Sequence, residues 1–547
     1  MFRLYNLSFG LVFLLFFSLP ITSWAGPYSG FAAEDPAQRL ADKQILHRGN
    51  GSEPQSLDPH KSEGVPSSNI QRDLYEGLIT ESASGELLPG VAKSWTVSPD
   101  GLRYVFELRA EAKWSNGDPV TAMDFVYSWR RIVNPETGSY YAQTLAPILN
   151  VEAIIQGKKP VTALGVRAIK DHRLEVVLKG PTPYFPGLLT HSSTYPVHRK
   201  SVERYGDKFA RAGNLIGNGP FVLTEWAVQS HILLSRNPLY WDNANTRLEQ
   251  VYFYPIDNQA SELKRYRAGE LHIAESLPLS QIPWLRKNLA EDLRISPYLG
   301  IYYFGYNLVR APFKDNKKLR QALSMVIDRE ILTEKILKTG ETPAYSWVPP
   351  NVANYEKQEY EWKAWTMQKR IEKARALFKQ AGYGKDTPLT VEIRYNTSEN
   401  HKKVAIVVAS MWKKNLGVKT KLYNEEWKVF LANRKAKKVT EIFRAGWIAD
   451  YNDAFSFAEL MHSQHGVNDS GYNNKSYDNL LAKSALEADP EKRKQLLQQA
   501  ERILLEDYPV IPIYYYMSKH LVKPYVGGYE DNVMDHHHSK HLYIMAH

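Results

Sequence analysis

Two hydrophobic rhythms run along this chain, one repeating every second residue and one every three to four, and between them they lay out its elements. Tyr104, Phe106 and Leu108 fall on one face of an alternating run, and residues 389–395 alternate in the same way. Both runs predict strands with one covered face. Further strands are expected near Ile45 and over residues 174–178, 221–226, 251–257, 299–308, 418–423 and 511–517. The longer rhythm stands out behind Thr121, where Asp124 three residues on completes a capping-box pattern. Phe125, Val126, Trp129, Ile132 and Val133 follow as an apolar stripe, a core face and not a cofactor box, until Asn134-Pro135 stops the helix. Helices are also predicted over residues 69–78, 318–326, 367–381 (with Gly382 as the stop) and 401–415. At Asp489-Pro490 an N-cap carboxylate and a proline at the first helical position open another, with Leu496, Ala500, Ile503 and Leu504 on one side. Strands alternating with helices through the second half predict an α/β fold.

One stretch combines a strand pattern with charge. Residues 444–457 read Arg-Ala-Gly-Trp-Ile-Ala-Asp-Tyr-Asn-Asp-Ala-Phe-Ser-Phe. If the chain is extended there, Ile442, Arg444, Gly446, Ile448 and Asp450 share a face. At roughly 3.3 Å per residue the two charges lie at most about 20 Å apart, too far to pair but placed to hold two ends of something laid alongside. Gly446 between them leaves room for a close backbone approach. The competing reading, equally open from this stretch alone, is that each charge pairs elsewhere in the fold.

Length and composition narrow the class. A chain of 547 residues exceeds one core and predicts about three domains. Aromatic residues make up 12%, including 34 Tyr and 13 Trp, an excess that suits an amphipathic cleft or the filling of several cores. Arg3, an apolar run over residues 7–19 and the small-x-small pattern Ser23-Trp24-Ala25 predict a secretory leader cleaved near Ala25. No later run approaches the ~20 apolar residues of a membrane span, so the mature chain is expected to be exported and soluble. Loss of the leader takes the net charge from +10 to +9. With no cysteine there is neither a lipid-anchored Cys nor a disulfide, which favours the periplasm as the compartment. The basic residues are nowhere denser than residues 435–438, so nucleic acid is not an expected partner.

Catalytic signatures are missing: no nucleophile elbow, no His-Glu-x-x-His, no phosphate-loop lysine and no cysteine nucleophile. Gly217-Asn218-Gly219-Pro220 precedes a strand, so it reads as a turn and not as a nucleotide loop. Asp450 with Asp453 is a carboxylate spacing common by chance. His536, His537, His538 and His541 are read as a solvated tail, because consecutive imidazoles point different ways. No cofactor and no metal site are expected.

Several long segments carry a resemblance. Trp114-Ser115-Asn116-Gly117-Asp118-Pro119-Val120-Thr121-Ala122, continuing through Asp124-Phe125-Val126-Tyr127-Ser128-Trp129, is similar to the signature of the peptide/nickel family of extracellular solute-binding proteins. So are residues 52–60, Tyr395-Asn396-Thr397-Ser398, residues 447–452 and residues 522–529, in order along nearly all of the mature chain. Within that family the chain resembles the oligopeptide-binding branch. The resemblance implies an α/β, two-lobed, three-domain periplasmic binding protein with a hinged ligand cleft. Domain I would comprise residues 26–76, 200–299 and 518–547, domain II residues 77–199, and domain III residues 300–517, with a hinge at 299–300 and 517–518. It further implies a monomeric receptor, not an enzyme. That receptor would capture short peptides and deliver them to the permease subunits of an ABC importer with cytoplasmic ATPases.

Residue by residue, Asp450 matches the aspartate that grips a peptide's ammonium, and Arg444, Arg434 and His401 match basic groups that meet its carboxylate. Glu63, Val65, Tyr141, Trp427, Gly446, Trp447 and Tyr516 match positions lining the cleft, with the main chain at Val65 and Gly446 expected to pair with the ligand like an added strand. Three departures stand out. A family cystine falls on Gly300 and Ile448, a carboxylate-binding lysine falls near Leu337 with Lys338 adjacent, and one extra residue separates Arg434 from Arg444. A murein-derived tripeptide is the alternative ligand within this class; outside it, an exported hydrolase with an aromatic-lined groove is the alternative.

Overall fold

The computed structural model describes residues 39–352 and 354–547; the leader and its expected cleavage point lie outside the described residues. After β1 (Ile45–Gly49) comes α1 (Val65–Leu74), then a four-stranded antiparallel sheet of β2 (Ala92–Val97), β3 (Arg103–Leu108), β4 (Val166–Lys170) and β5 (Arg173–Val177) in the order β2-β3-β5-β4. Packed on it is α2 (Ala122–Val133), whose Phe125, Val126, Trp129, Ile132 and Val133 are all buried, as the stripe predicted. Its start is held by Asp124, which accepts from both the backbone N–H (2.7 Å) and the hydroxyl (3.0 Å) of Thr121.

Ile79–Glu81 with Leu87–Pro89 and Val526–Gly527 with Tyr543–Ile544 make two small ribbons, and the other strands form one long sheet. Its members are β1, β6 (Phe221–Ala227), β7 (His231–Arg236), β8 (Gln250–Tyr254), β9 (Ile273–Ala274), β10 (Leu293–Tyr306), β11 (Thr390–Asn396), β12 (Lys419–Glu425), β13 (Ile442–Ile448) and β14 (Val510–Val522). They lie in the order β12-β11-β13-β10-β14-β9-β1-β8-β7-β6, with the short strand Thr342–Pro343 also on β14. β10 and β14 are the long members, at 14 and 13 residues, and they pair antiparallel from Leu293 opposite Leu521 to Gly305 opposite Val510. The pairing loses register between Pro297 and Ile301, where the proline has no N–H to give the ladder.

Core packing follows the two halves of that pair. Along β10, Tyr302, Phe304 and Tyr306 enter one apolar cluster and Leu299, Ile301 and Tyr303 another, so both faces are covered. Toward the other end of the long sheet, β1, β8, β6 and α1 share a third cluster, and residues 263–289 with Leu521 make a fourth. The four-stranded sheet has its own, which Tyr451 joins by stacking on Tyr184 at 4.6 Å between ring centroids.

Three expectations are corrected. The helix expected over residues 69–78 runs from Val65 to Leu74. Gly64, at φ 91°, turns the chain into it and Pro66 pre-sets its first turn. It stops because Gly219 N–H takes the carbonyl of Leu74 at 3.0 Å. The helix expected over residues 401–415 is α3 (Glu399–Leu416), started by the Ser398 cap, and α4 (Trp427–Ala436), capped by Glu426, is a helix the pattern did not predict. In α5 (Pro490–Asp507) the buried face is Leu497, Ala500, Leu504 and Leu505, with Leu496 and Ile503 on its flanks. Asp489 caps α5 by accepting from Glu491 N (2.9 Å) and Lys492 N (3.1 Å), and Asp489→Ala is expected to cost about 1 kcal/mol in a urea titration.

The C-terminal histidines are not a solvated tail. His536 lies between Arg72 Nη2 (2.5 Å) and Glu81 Oε2 (2.7 Å), and His538 sits 3.6 Å from the same carboxylate. His541 contacts Glu81 O at 2.9 Å. Buried Glu81 on the facing segment gives these rings a partner through its carboxylate and its carbonyl, a possibility that local spacing could not show.

Candidate functional site

β13 is the centre of the site. Along its full length it pairs with β10, from Ile442 opposite Tyr306 to Ile448 opposite Gly300. On its other side β11 reaches only Ile442 and Phe443, so from Arg444 on that edge carries no strand among the described residues. Ala449 N donates to Leu299 O (2.9 Å) and Asn307 N to Glu441 O (2.8 Å). An antiparallel ladder alternates, so Phe443, Ala445 and Trp447 direct their main-chain groups to β10, while Arg444, Gly446 and Ile448 direct theirs to the open edge. Burial alternates too: Phe443, Ala445 and Trp447 are buried, and Arg444, Gly446 and Ile448 are half-buried against a cavity.

Two hollows meet at that edge, one of about 140 Å³ and one of about 360 Å³, sharing Gly64, Val65, Trp427, Arg444, Gly446 and Ile448 as walls. Asp450, Arg434, Glu63, Tyr141 and Trp447 line the smaller; His401 and Tyr516 line the larger. All eleven residues expected at the site are therefore brought to these two hollows.

At one end Asp450 sits just past β13, its backbone N–H held by Ser456 Oγ at 2.8 Å and its side chain 11% exposed. Its Oδ1 is 3.3 Å from His191 Nε2. His191 Nδ1 accepts from Ser193 N at 3.3 Å, so the neutral ring carries its proton on Nε2, the nitrogen that faces the carboxylate. Burial, reinforced by Arg72 and His536, lowers the His191 imidazole to about 3, so it brings no charge. Burial also raises Asp450 to about 7, against a smaller lowering by Arg72. No Lys or Arg forms an ion pair with Asp450 among the described residues. The result is a sheltered carboxylate that lacks a cation.

Toward the other end of β13, Arg444 has the opposite deficit. It donates to Tyr516 Oη at 2.6 Å and Asn396 Oδ1 at 3.4 Å and lies over the Tyr302 ring at 4.9 Å, with no ion pair among the described residues. His401 beside it is held well below the usual imidazole range, by burial first and by Arg444 second, and its Nδ1 is buried without a partner. It is thus a neutral hydrogen-bonding group there and not the positive charge that the sequence implied. A side chain at position 446 would run into the Tyr516 hydroxyl, so the glycine makes room first for this tyrosine.

The walls carry compensated charge. Arg434 contacts Asp469 (2.6 Å) and Glu63 (3.5 Å), and Lys435 contacts the same two carboxylates at 3.5 and 3.1 Å. Two cations and two anions close on one another, which leaves Arg434 less available than Arg444. Val65 opens α1 and is not in a strand, so its N–H is free of the helix ladder but its carbonyl is not. Trp427, at the start of α4, buries an indole N–H with no partner, and Gly64 accommodates its ring. Tyr141 packs on His191 at 4.9 Å. Leu337 is buried and Lys338 exposed, and neither lines a hollow. The lysine that does line one is Lys519, paired with Glu341 at 2.5 Å. Sequence reading passed over His191, Arg72, Asp469, Tyr298 and Lys519, and no local pattern marks any of them. Each reaches the hollows from a distant segment.

Known proteins resemble this chain over nearly its whole length. Residues 86–469 match the model of the bacterial extracellular solute-binding proteins, family 5 (middle). The periplasmic oligopeptide-binding protein OppA of Salmonella typhimurium is 45% identical over 96% of this chain and 97% of its own. Haemophilus influenzae OppA in complex with the peptide RPPGFSPFR superposes at a TM-score of 0.91, 42% identical, over 93% of this chain and 100% of that one. The Escherichia coli murein tripeptide-binding protein MppA also reaches 0.91 at 42% identity, over 93% of this chain and 100% of its own. Its unliganded open form reaches 0.64 at the same identity, over 94% and 99%. The conformation described here is therefore nearer that of the peptide complex than that of the open form.

Proposed function

We infer that this chain, which belongs to family 5 of the bacterial extracellular solute-binding proteins, is a periplasmic receptor that holds a short peptide extended in a closing cleft. It then delivers the peptide to the permease of an ABC importer driven by cytoplasmic ATPases. One observation carries the reading: Asp450 and Arg444, both sheltered and both without a counter-charge, stand toward opposite ends of an open strand edge. Taking a charge out of water costs several kcal/mol, and a ligand that supplies the missing partner recovers part of that cost. A peptide supplies an ammonium for Asp450, a carboxylate for Arg444, and a backbone for Arg444, Gly446 and Ile448 to pair with as an added strand. His401 and the Trp427 indole add neutral donors along the way. None of this requires bond-making, and the site acts as a binding site and not a catalytic one.

The lobes that close are those on either side of the Pro297–Ile301 irregularity, where β10 and β14 cross from one set of apolar clusters to the other. That crossing supports a hinge near residues 299–300 and 517–518 and the discontinuous first domain that goes with it.

Calorimetry with tri- to pentapeptides and with the murein tripeptide tests the reading, and no heat with any of them overturns it. Arg444→Ala is expected to weaken free-acid peptides by about 10–100-fold and C-terminally amidated ones by much less. Equal losses would take Arg444 out of the carboxylate role.

A further inference from the structure

We propose that His520, Asp535 and His537 form a binding site for a divalent cation of zinc-like preference, set beside the peptide cleft. The donors are two imidazole nitrogens and a carboxylate, each on a side chain at most 9% exposed. Their ligand atoms all lie within 4.8 Å of one another. His520 Nε2 is 2.9 Å from both oxygens of Asp535, and His537 Nε2 is 2.9 Å from Oδ1. Two donors on a tetrahedral metal at about 2.0–2.1 Å stand roughly 3.3 Å apart, so each His–Asp contact opens by about 0.4 Å and the two rings turn toward a common centre to admit the ion. Two imidazoles with one carboxylate suit Zn²⁺ or a neighbouring transition metal better than Mg²⁺ or Ca²⁺, which favour all-oxygen sets.

The surroundings fit a metal as well. Asp535 has φ 55°, a left-handed conformation that aims its carboxylate between the two rings. His520 Nδ1 is buried without a hydrogen bond and stands 3.9 Å from Glu275 Oε2, where a small shift gives the outer carboxylate that a metal-bound imidazole uses. Tyr529 stacks on His537 at 4.1 Å, and its hydroxyl, 2.9 Å from Nε2, turns away from that nitrogen when an ion enters. Of the facing charges Asp535 and Glu275 are negative and Arg48, 3.6 Å from Glu275, is positive, so a cation is not repelled. Both His520 and Asp535 line the larger hollow, which gives the ion a route in and leaves a coordination position for water or a ligand atom. His520 comes from β14 and the other two from the C-terminal segment, so the site exists only in the folded chain.

The competing arrangement is a proton-held ion pair of His520 with Asp535. Chelator-stripped full-length mature protein titrated with ZnCl₂ alone distinguishes the two, and peptide binding plays no part in the outcome. Expected are one equivalent bound, release of about one proton, and visible absorption typical of four-coordinate Co²⁺ when Co²⁺ replaces Zn²⁺. His537→Gln and His520→Gln, each confirmed folded by its melting curve, should weaken Zn²⁺ on the order of 10²-fold, while His547→Ala should not. No uptake by the wild-type protein, or uptake that both Gln variants retain (adventitious binding by other histidines), overturns the site.

Discussion

Asp450→Asn weakens a free peptide by about 10²–10³-fold, while the N-acetylated form of the same peptide loses less than about tenfold. The substitution keeps the volume of the side chain beside His191 and removes only the charge. A free peptide then brings its ammonium into a sheltered place that no longer holds an anion, and truncating one partner of such a pair costs about 2–5 kcal/mol. An acetylated peptide has no ammonium to strand. Paired calorimetric titrations of the two ligands against both proteins read the difference. If the acetylated peptide loses as much as the free one, Asp450 shapes the cavity and does not hold the amine.

Peptide affinity also falls on the order of 10²-fold between pH 8 and pH 5. Burial places the empty-site carboxyl at about 7, and the ammonium binds its ionised form, so proton and peptide compete. Binding is full above that value and is lost by about tenfold per pH unit below it. Of the groups nearby, His191 at about 3 stays neutral across the window, and burial keeps Glu459 well above the carboxylate range. The stability of the empty protein runs the other way. The folded form takes up a proton near pH 7 that the unfolded chain, with an ordinary carboxyl, takes up only near pH 4, so acidification across that interval favours the folded state. Asp450→Asn should flatten the binding profile, and an already flat wild-type profile would remove the competition.

The legible parts of the fold were those whose cause is local. The stripe behind Thr121, the alternation of β3 and β11, and the Asp489 cap each depend on residues a few positions apart, and each formed as read. β10 reads as a Tyr- and Phe-rich run with no clean alternation because both its faces are covered, which erases the two-residue rhythm. The site was half legible. Arg444 and Gly446 share one strand and Asp450 follows just past its end, so their common side followed from periodicity. Partners that decide how those charges behave come from far off: His191 neutralises nothing, and Asp469 occupies Arg434. Long-range charge pairing leaves no trace in spacing, so neither the neutrality of His401 nor the buried partners of His536 and His538 can be read from it.

The pair Gly300–Ile448 has a practical consequence. These residues face each other across β10 and β13 at a position where the main chains do not exchange hydrogen bonds, and the isoleucine side chain fills the space above the glycine. Packing does there what a covalent tie would otherwise do, and the whole chain contains no thiol. Its folding therefore needs no oxidant and no disulfide isomerase, and reductants leave it unchanged. Made without residues 1–25 in a reducing cytosol, the chain should reach the same folded state as it does in an oxidising compartment.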